Sequence, residues 1–400
     1  MKKFVYFMVF LIPFLNQLSI AQVVSVGSLI YLPYVVLCVV CLCNQDFKTM
    51  FAANEYRKRI FALFLMCIIG VPTLSFSLFK IDVTEALMYI ALLFIVMITL
   101  LYVTSGQFDK TKILKSVFWG NTIILLFKLA VNFGQFKIAN FSLMLNGERG
   151  VVRADFGFSH PNWVAMYAVI EIILLYFMPK TKKKHYVFSA FITIAMIWAI
   201  VATGCRTAFF AIMTFAALEI FWNTVGKAFK SKYLNLIYIV PIVYMMSVII
   251  TSDNGNSVGG ISELTSGRDV LNTYVINYLS NTGNIFFGYG PLSTQTLGSH
   301  IPVTDCWYIT CLCQFGIVGL IIWIAILFTI AFNFIKKDNH LGMNLLIFLC
   351  CYSATENVLY NPGVSITAVI WIVLLLLLNE KYDISHLKRK RRRRIKHYGY

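Results

Sequence analysis

Long apolar runs separated by short polar connectors make up most of the chain. Many of these runs are about 20 residues long, the length at which an α-helix crosses the hydrocarbon core of a bilayer. The pattern therefore predicts an all-α polytopic membrane protein with about 12 transmembrane helices. The predicted spans are Phe4–Ile20, Val23–Cys43, Ile60–Phe79, Ala86–Thr104, Ser116–Phe133, Asn162–Met178, Val187–Thr203, Thr207–Asn223, Leu234–Ile250, Trp307–Phe332, Leu341–Tyr360 and Val364–Leu378.

One polar connector is much longer than the others. It covers residues 251–305 and is the only one long enough to build a sizeable structure outside a membrane. Within it, Ser266 followed three residues later by Asp269 predicts a helix start, and apolar residues recur behind it at helical spacing. We predict one transmembrane domain over residues 1–387, which includes this large loop, and a basic tail at 388–400.

Most of the positively charged residues lie on one side of the predicted membrane. The formal net charge is +17 although only 13% of the residues are charged. The Lys and Arg residues cluster in short connectors and in the tail, which is typical of topology signals and of contact with lipid headgroups. With the N-terminus inside, 27 of the 34 Lys and Arg lie on the cytoplasmic side. This bias predicts an N-in, C-in topology, places the 251–305 loop outside, and favours a lipid bilayer over nucleic acid as the partner.

The connector before the sixth predicted span carries several reactive side chains on the predicted outer face. Arg153 lies in this connector, and Pro161 suits the first turn of the following helix. His160 and Asn162 therefore lie at the N-terminal end of that helix. His160 is either a helix-entry residue that satisfies the backbone or an acid, base or ligand of a substrate hydroxyl.

Other polar residues recur at the same predicted face. Arg206 follows a tight turn at membrane level, where its charge either pairs with an anion or carboxylate or reaches towards water. Arg268 lies at the predicted helix start in the large loop, where backbone N–H groups favour an anion, although an ordinary capped helix has the same pattern. His300 and Asp305 flank the entry to the tenth span, and Asp305 is either its cap or a reactive carboxylate.

Several further features limit the chemistry. Gly316 and Gly319 predict close helix packing rather than ligand binding. Lys128 and Glu356 lie towards the outer ends of their spans, where both are candidates to line one cavity. The chain contains no Asp-x-Asp motif, no Walker phosphate-binding loop and no dinucleotide fingerprint. The sequence thus predicts neither a metal site nor a cofactor.

This arrangement resembles the O-antigen polymerase and O-antigen ligase superfamily of bacterial envelope polysaccharide enzymes. Four short segments carry the resemblance, in the order in which the family has them. They are Arg153 with Gly157–Asn162, the turn Thr203–Thr207, the loop opening Ser266–Asp269, and the closing segment Asp305–Gly319. The chain departs from the family at Cys205, where a serine is more usual.

The resemblance implies an enzyme of the bacterial cytoplasmic membrane that acts on a glycan linked to undecaprenyl diphosphate. Such enzymes transfer the sugar end of the glycan to an acceptor hydroxyl at the outer face. Arginines suit the departing diphosphate because each is always charged and can donate two parallel hydrogen bonds. The implied substrate-binding residues are Arg153, Arg206, Arg268 and Asn162. The implied candidates for the catalytic base are His160, His300 and Asp305.

Three activities fit this pattern. A polymerase would add the glycan to another lipid-linked repeat unit, whereas a ligase would move it to a different acceptor. A flippase or transporter for lipid-linked sugars is the third, but such proteins tend to show internal repeats and charges near the membrane midplane. No repeat is visible in this sequence. The polymerase is the preferred hypothesis, with a flippase and a chain-length regulator of the same pathway as expected partners.

Overall fold

The computed structural model of the protein describes most of the chain, and the described part is all-helical. The described residues are 1–23, 26–44, 50–51, 54–75, 83–136, 153–178, 183–226, 237–238, 240, 243, 268–290 and 305–379. Thirteen α-helices lie within these ranges. They are α1 (Lys2–Ile20), α2 (Leu32–Cys43), α3 (Glu55–Leu65), α4 (Val71–Ser75), α5 (Val83–Val103), α6 (Lys110–Val131), α7 (Pro161–Phe177), α8 (Lys183–Thr203), α9 (Arg206–Phe221), α10 (Arg268–Asn281), α11 (Trp307–Lys336), α12 (His340–Ser353) and α13 (Ser365–Leu378).

Six helical segments in the described ranges are long and apolar enough to cross a membrane. They are Lys2–Ile20, Ala86–Val103, Lys110–Val131, His185–Thr203, Arg206–Gly226 and Trp307–Lys336. Four shorter apolar helices accompany them, at Gly27–Cys43, Pro161–Phe177, His340–Ser353 and Ser365–Leu378. The protein is therefore a multi-pass helical membrane protein. The count of 12 spans and the N-in topology stay predictions, and most of the predicted span 234–250 lies outside the described residues.

Polar side chains at the helix starts explain several of the helix boundaries. The side-chain oxygen of Asp109 accepts the backbone N–H of Lys112 at the start of α6 (3.1 Å). The side chain of Asn339 accepts the backbone N–H of Gly342 in the same way at the start of α12 (2.9 Å). Each cap satisfies a backbone donor that has no partner inside its own helix. These short polar residues therefore set where the apolar helices begin.

A glycine allows a close contact between the backbones of α1 and α6. A Cβ atom on Gly120 of α6 would lie 2.2 Å from the backbone oxygen of Phe10 and 2.8 Å from the ring of Pro13. No side chain fits at these distances, so the backbones approach only because this residue is glycine. Small residues commonly permit such packing between helices in membranes.

A chain of buried polar side chains joins α1, α6 and α7 within the bundle. The Gln17 amide donates to Asn121 Oδ1 (3.0 Å), and the Asn121 amide donates to Glu171 Oε2 (2.7 Å). The hydroxyl of Thr122 contacts Glu171 Oε1 at 2.5 Å. All four side chains are buried, with exposed fractions of 1% or less. Polar groups placed in an apolar bundle are stabilised by such mutual hydrogen bonds, so this cluster fixes the register of the three helices.

Connecting segments meet at two opposite ends of the bundle. At one end, the backbone N–H of Ser159 donates to the carbonyl of Ile20, and the Asn16 amide donates to the carbonyl of Gly363, both at 3.0 Å. We call this the site end, because the candidate functional residues lie there. At the other end, Asn54 donates to the carbonyl of Leu378 (3.2 Å).

A buried arginine organises that second end, which we call the basic end. Arg57 has no exposed surface, and its guanidinium donates to the carbonyls of Leu101 (3.1 Å) and Thr104 (2.7 Å). These carbonyls belong to the last turn of α5 and the residue that follows it. The negative end of a helix dipole favours a cation there. The assignment of the basic end to the cytoplasm stays a prediction.

The long helix α11, which contains the predicted span Trp307–Phe332, is broken near Gly316. Gly316 has φ 63° and ψ −167°, and this backbone conformation lies outside the α-helical region. Trp307 and Trp323 lie on either side of the break, with ring centroids 5.2 Å apart. A straight helix would separate two residues 16 positions apart by about 24 Å. The two halves of α11 therefore fold back against each other.

Candidate functional site

The loop before α7 is held in one shape against the end of α6. The Asp155 carboxylate accepts the backbone N–H of Gly157 (2.9 Å), and the Gln135 side-chain oxygen accepts that of Phe156 (2.7 Å). Lys128 donates from Nζ to the carbonyl of Gly157 (3.1 Å). Phe156 and Gly157 both have positive φ, at 48° and 76°, so the chain turns sharply here. This turn directs Arg153 and Asn162, at the two ends of the loop, towards each other.

Arg153 contacts the turn between α8 and α9. Its Nε donates to the carbonyl of Thr203 (2.7 Å), and the backbone N–H of Ala154 donates to the carbonyl of Ala202 (3.2 Å). Gly204 ends α8 with φ 59°, and a Cβ there would lie 3.8 Å from Arg153 Cγ and Nε. The turn, the glycine and the arginine therefore form one unit.

Asn162 bridges Arg153 and a buried carboxylate. The Arg153 Nη2 donates to Asn162 Oδ1 (2.6 Å), while Asn162 Nδ2 donates to Glu356 Oε1 (3.4 Å). The hydroxyl of Thr207 donates to the same Oε1 (3.1 Å). Glu356 is only 4% exposed and lies in the turn after α12. We call Arg153, Asn162, Thr203, Thr207 and Glu356 the Arg153 cluster.

The electrostatics of the cluster follow from the orientation of the Asn162 amide. A guanidinium only donates hydrogen bonds and an ionised carboxylate only accepts them, so the amide must present its oxygen to Arg153 and its nitrogen to Glu356. A neutral group thus separates the two charges. Arg153 has five N–H groups, and the two bonds described here use two of them. The remaining N–H groups of this exposed guanidinium can donate hydrogen bonds to an anion that approaches from water.

Arg206 is the first residue of α9 and is half-buried. It lies in the same turn as the two cluster residues Thr203 and Thr207. The N-terminus of a helix carries partial positive charge, which disfavours a cation and favours an anion. Arg206 and the N-terminus of α9 therefore add positive charge to the turn that Arg153 contacts.

His160 caps α7, which is the first of its two predicted roles. Its Nδ1 accepts the backbone N–H of Asn162 (3.1 Å). The lone pair on Nδ1 is committed to this bond, so the ring proton of the neutral side chain lies on Nε2. His160 in this geometry can donate a hydrogen bond from Nε2 but has no basic nitrogen to offer a substrate hydroxyl. Its role as a base stays a prediction that requires the cap to open.

Asp305 lies outside α11, exposed, and does not occupy the cap position. The N-cap residue is Cys306, and it provides no side-chain cap bond. The neighbouring Trp307 donates from its indole N–H to the carbonyl of Tyr360 (3.1 Å). This contact places Asp305 near the segment that carries Glu356, although Asp305 is not among the residues in contact with Arg153 described above.

Two other predicted residues lack a described side chain. Arg268 is the first residue of α10, as the capping pattern predicts, but its side chain lies outside the described residues. His300 lies entirely outside them. Their roles as diphosphate ligand and base stay predictions.

Cys205 is buried beside Thr207. Burial, together with the nearby Glu356 carboxylate, raises the pKa of the Cys205 thiol. The thiol therefore stays protonated at neutral pH and is a poor nucleophile. Its Sγ lies 3.3 Å from Thr207 Oγ1, so Thr207 supplies the hydroxyl that contacts the carboxylate.

The structure adds Thr207 to the residues that the sequence singled out, and it places Glu356, which the sequence had already marked as a candidate to line a cavity, in contact with Asn162 and Thr207. An acidic residue near the end of an apolar run was a usable signal for Glu356, since such a charge is costly in a membrane unless it has partners. Thr207 carried no comparable signal. Among the described residues, no three His, Cys, Asp or Glu side chains come together as metal ligands. The prediction of a metal-independent site remains untested.

Comparison with known protein families finds no family model that matches the chain, and comparison with curated proteins finds no matching relative.

Proposed function

We propose that the protein is a polysaccharide polymerase of the bacterial cytoplasmic membrane. It transfers a growing glycan from undecaprenyl diphosphate to a sugar hydroxyl of a lipid-linked repeat unit at the outer face. The observation that supports the proposal best is the Arg153 cluster. There, one guanidinium is positioned by a carbonyl and an amide at the site end of a membrane bundle, with a second arginine in the adjoining turn.

The reaction exchanges one bond to the anomeric carbon for another. The acceptor hydroxyl oxygen attacks that carbon, the bond to the diphosphate oxygen breaks, and undecaprenyl diphosphate leaves with the electron pair. Arg153 and Arg206 stabilise the negative charge that develops on the leaving group, which is often the largest catalytic contribution. The hydroxyl proton goes to a base, for which we favour Asp305, because it is exposed and because His160, the other described candidate, caps α7 through Nδ1.

Glu356 supports this chemistry indirectly. It is too deeply buried to contact a substrate, but it accepts hydrogen bonds from Asn162 and Thr207. It thereby orients the amide that holds Arg153. A direct ion pair between Arg153 and a carboxylate would instead neutralise the guanidinium and weaken its attraction for diphosphate.

The main test is transfer by the purified protein in lipid vesicles supplied with undecaprenyl-diphosphate-linked repeat units. Loss of one charge-assisted hydrogen bond to the leaving group corresponds to about one to two orders of magnitude in rate, so we expect Arg153→Ala to slow chain growth by that factor. Arg153→Lys keeps the charge but loses the planar donor pair, and it should recover only part of the activity.

Arg59→Ala is the matched control, because Arg59 is an exposed arginine paired with Glu55 at 2.7 Å on the basic end. It should leave chain growth unchanged. Normal chain growth in Arg153→Ala protein that inserts into membranes would contradict the proposed role. Transfer of the glycan only to an acceptor that carries no lipid-linked repeat unit would identify a ligase instead.

The metal requirement is tested in the same assay. We expect chain growth to continue in EDTA, since the proposed site uses arginines where other glycosyltransferases use a metal ion. Complete loss of activity in EDTA, reversed by Mg²⁺ or Mn²⁺, would contradict the metal-independent mechanism.

A further inference from the structure

The break in α11 exposes backbone groups that a continuous helix would pair internally. Gly316 lies at the break with φ 63°. Carbonyls just before it and N–H groups just after it lose their usual partners four residues away. Buried backbone groups of this kind need other partners. The partners come from the large loop, not from α11.

A short segment that follows α10 supplies those partners. We call residues 284–290 the strap. Two strap N–H groups donate to carbonyls before the break, and two strap carbonyls accept N–H groups after it. The four bonds are Tyr289 N to Cys313 O (2.7 Å), Gly290 N to Gln314 O (3.0 Å), Ile317 N to Ile285 O (2.9 Å) and Val318 N to Phe286 O (3.1 Å).

Two glycines make this pairing possible. A Cβ on Gly316 would lie 2.2 Å from the backbone oxygen of Phe286, and one on Gly288 would lie 2.7 Å from that of Cys313. Both glycines also have positive φ, at 63° and 72°. The sequence predicted close helix packing at Gly316, but the backbone that lies against this glycine belongs to the strap and not to a second membrane helix.

The strap is also fixed to α10. Tyr289 is fully buried, and its hydroxyl donates to Thr282 Oγ1 (2.6 Å) just beyond the end of α10. Val275 and Leu279, on the inward face of α10, have no exposed surface. The helix that begins at Arg268 is therefore connected rigidly to the strap.

The other side of the break leads to the Arg153 cluster. The first half of α11 begins at Trp307 and Tyr308, which donate to the carbonyls of Tyr360 and Cys350 respectively, both at 3.1 Å. Glu356 lies between these two positions in the chain. One continuous set of contacts thus runs from α10 through the strap and α11 to the segment that carries Glu356.

We propose that the strap is a positioning element that sets the location of Arg268 relative to the Arg153 cluster. The evidence that the strap docks on α11 is the set of four backbone hydrogen bonds described above. The effect of the strap on transfer rests on the proposed function, in which Arg268 is a third ligand of the diphosphate. Because both glycines sit at backbone contacts, a single methyl group at either position separates the strap from α11.

Hydrogen–deuterium exchange of the intact protein in lipid nanodiscs tests the docking. We expect the amides of residues 289, 290, 317 and 318 to be protected in the natural protein and to exchange at least about tenfold faster in Gly316→Ala and Gly288→Ala. Gly283→Ala is the matched control, since Gly283 has φ +72° and no atom within 4 Å of its Cβ position. Fast exchange of these amides in the natural protein would overturn the docked strap.

A double-variant experiment tests the positioning role, because residues that act through one another show non-additive effects. Arg268→Ala should slow transfer in the natural background and in Gly283→Ala, but should cause little further loss in Gly288→Ala or Gly316→Ala. If the glycine variants lose amide protection while Arg268→Ala keeps its full effect, the strap does not position Arg268. If the natural protein transfers no lipid-linked glycan, the proposed function fails, and the exchange data still decide whether the strap docks.

Discussion

Asn162→Asp tests whether the amide bridge controls the charge of Arg153. The substitution replaces a donor 3.4 Å from Glu356 Oε1 with a carboxylate oxygen of almost the same size and position. Two carboxylates at this distance repel by about 4–5 kcal/mol at an effective dielectric constant of 20. The new carboxylate also forms a direct ion pair with Arg153, whose Nη2 lies 2.6 Å from the Asn162 oxygen.

Both effects weaken the binding of diphosphate at the proposed site. Both also depend on pH, because they require the carboxylates to be ionised. At pH 8 the new ion pair occupies the guanidinium, and we expect transfer to fall by about one to two orders of magnitude, the value of one charge-assisted hydrogen bond. Two adjacent carboxylates favour the uptake of one proton, which restores a donor towards Glu356 and a neutral acceptor towards Arg153. As the pH falls towards 6, the activity of this variant relative to the natural protein should therefore rise.

The assay is glycan transfer in vesicles, measured across this pH range for both proteins. Asn132→Asp is the control, because the Asn132 amide donates to the carbonyls of Lys128 and Phe156 at the same end, both at 3.0 Å, without contacting Arg153. It should change stability but not the pH profile of transfer. Equal activity of Asn162→Asp and the natural protein at pH 8, or the same pH response in Asn132→Asp, would refute this account of the bridge.

Two further predictions concern stability, measured by thermal unfolding in detergent. Gly204→Ala should lower the free energy of unfolding by about 1–2 kcal/mol, because alanine adopts the positive φ of this position only with strain. The steric contribution should be small, since Arg153 lies 3.8 Å from the Cβ position. An unchanged free energy of unfolding would contradict this prediction. Glu171→Ala should lower the free energy of unfolding by about 2 kcal/mol, because it removes the carboxylate that accepts the shorter of the two hydrogen bonds donated by the Asn121 amide. Glu171→Gln can still accept that bond and should have a stability close to that of the natural protein. The reverse order of stabilities would show that the negative charge matters and the hydrogen bonds do not.

Part of the candidate site was predictable because its motifs are local. Pro161 after His160 predicted a helix start, and His160 does cap α7. The same local information left two roles for His160 open. Only the position of its Nδ1, 3.1 Å from the backbone nitrogen of Asn162, selects the cap. A capping bond spans two residues, so sequence spacing can propose it, but the choice between cap and base depends on which atom has a free lone pair.

The partner of Asn162 was not predictable. Glu356 lies 194 positions further along the chain and joins the site through the packing of α9 against α12. The bend in α11 was hidden for the same reason. Gly316 occurs within a continuous apolar run, and nothing in that pattern shows that a loop segment takes over the backbone hydrogen bonds of the helix.

The sequence by itself determined the helical, membrane-spanning character of the protein, because the length and polarity of each run decide locally whether a helix can cross a bilayer. It also determined where several helices begin, since caps act within one turn. Only the tertiary structure decided which polar groups meet. An arginine, an amide and a buried carboxylate from distant segments are brought together by helix packing, and a loop is bonded to a broken helix by backbone atoms that are chemically identical in every residue. Contacts of that kind leave no pattern in the side chains, apart from the glycines that make room for them.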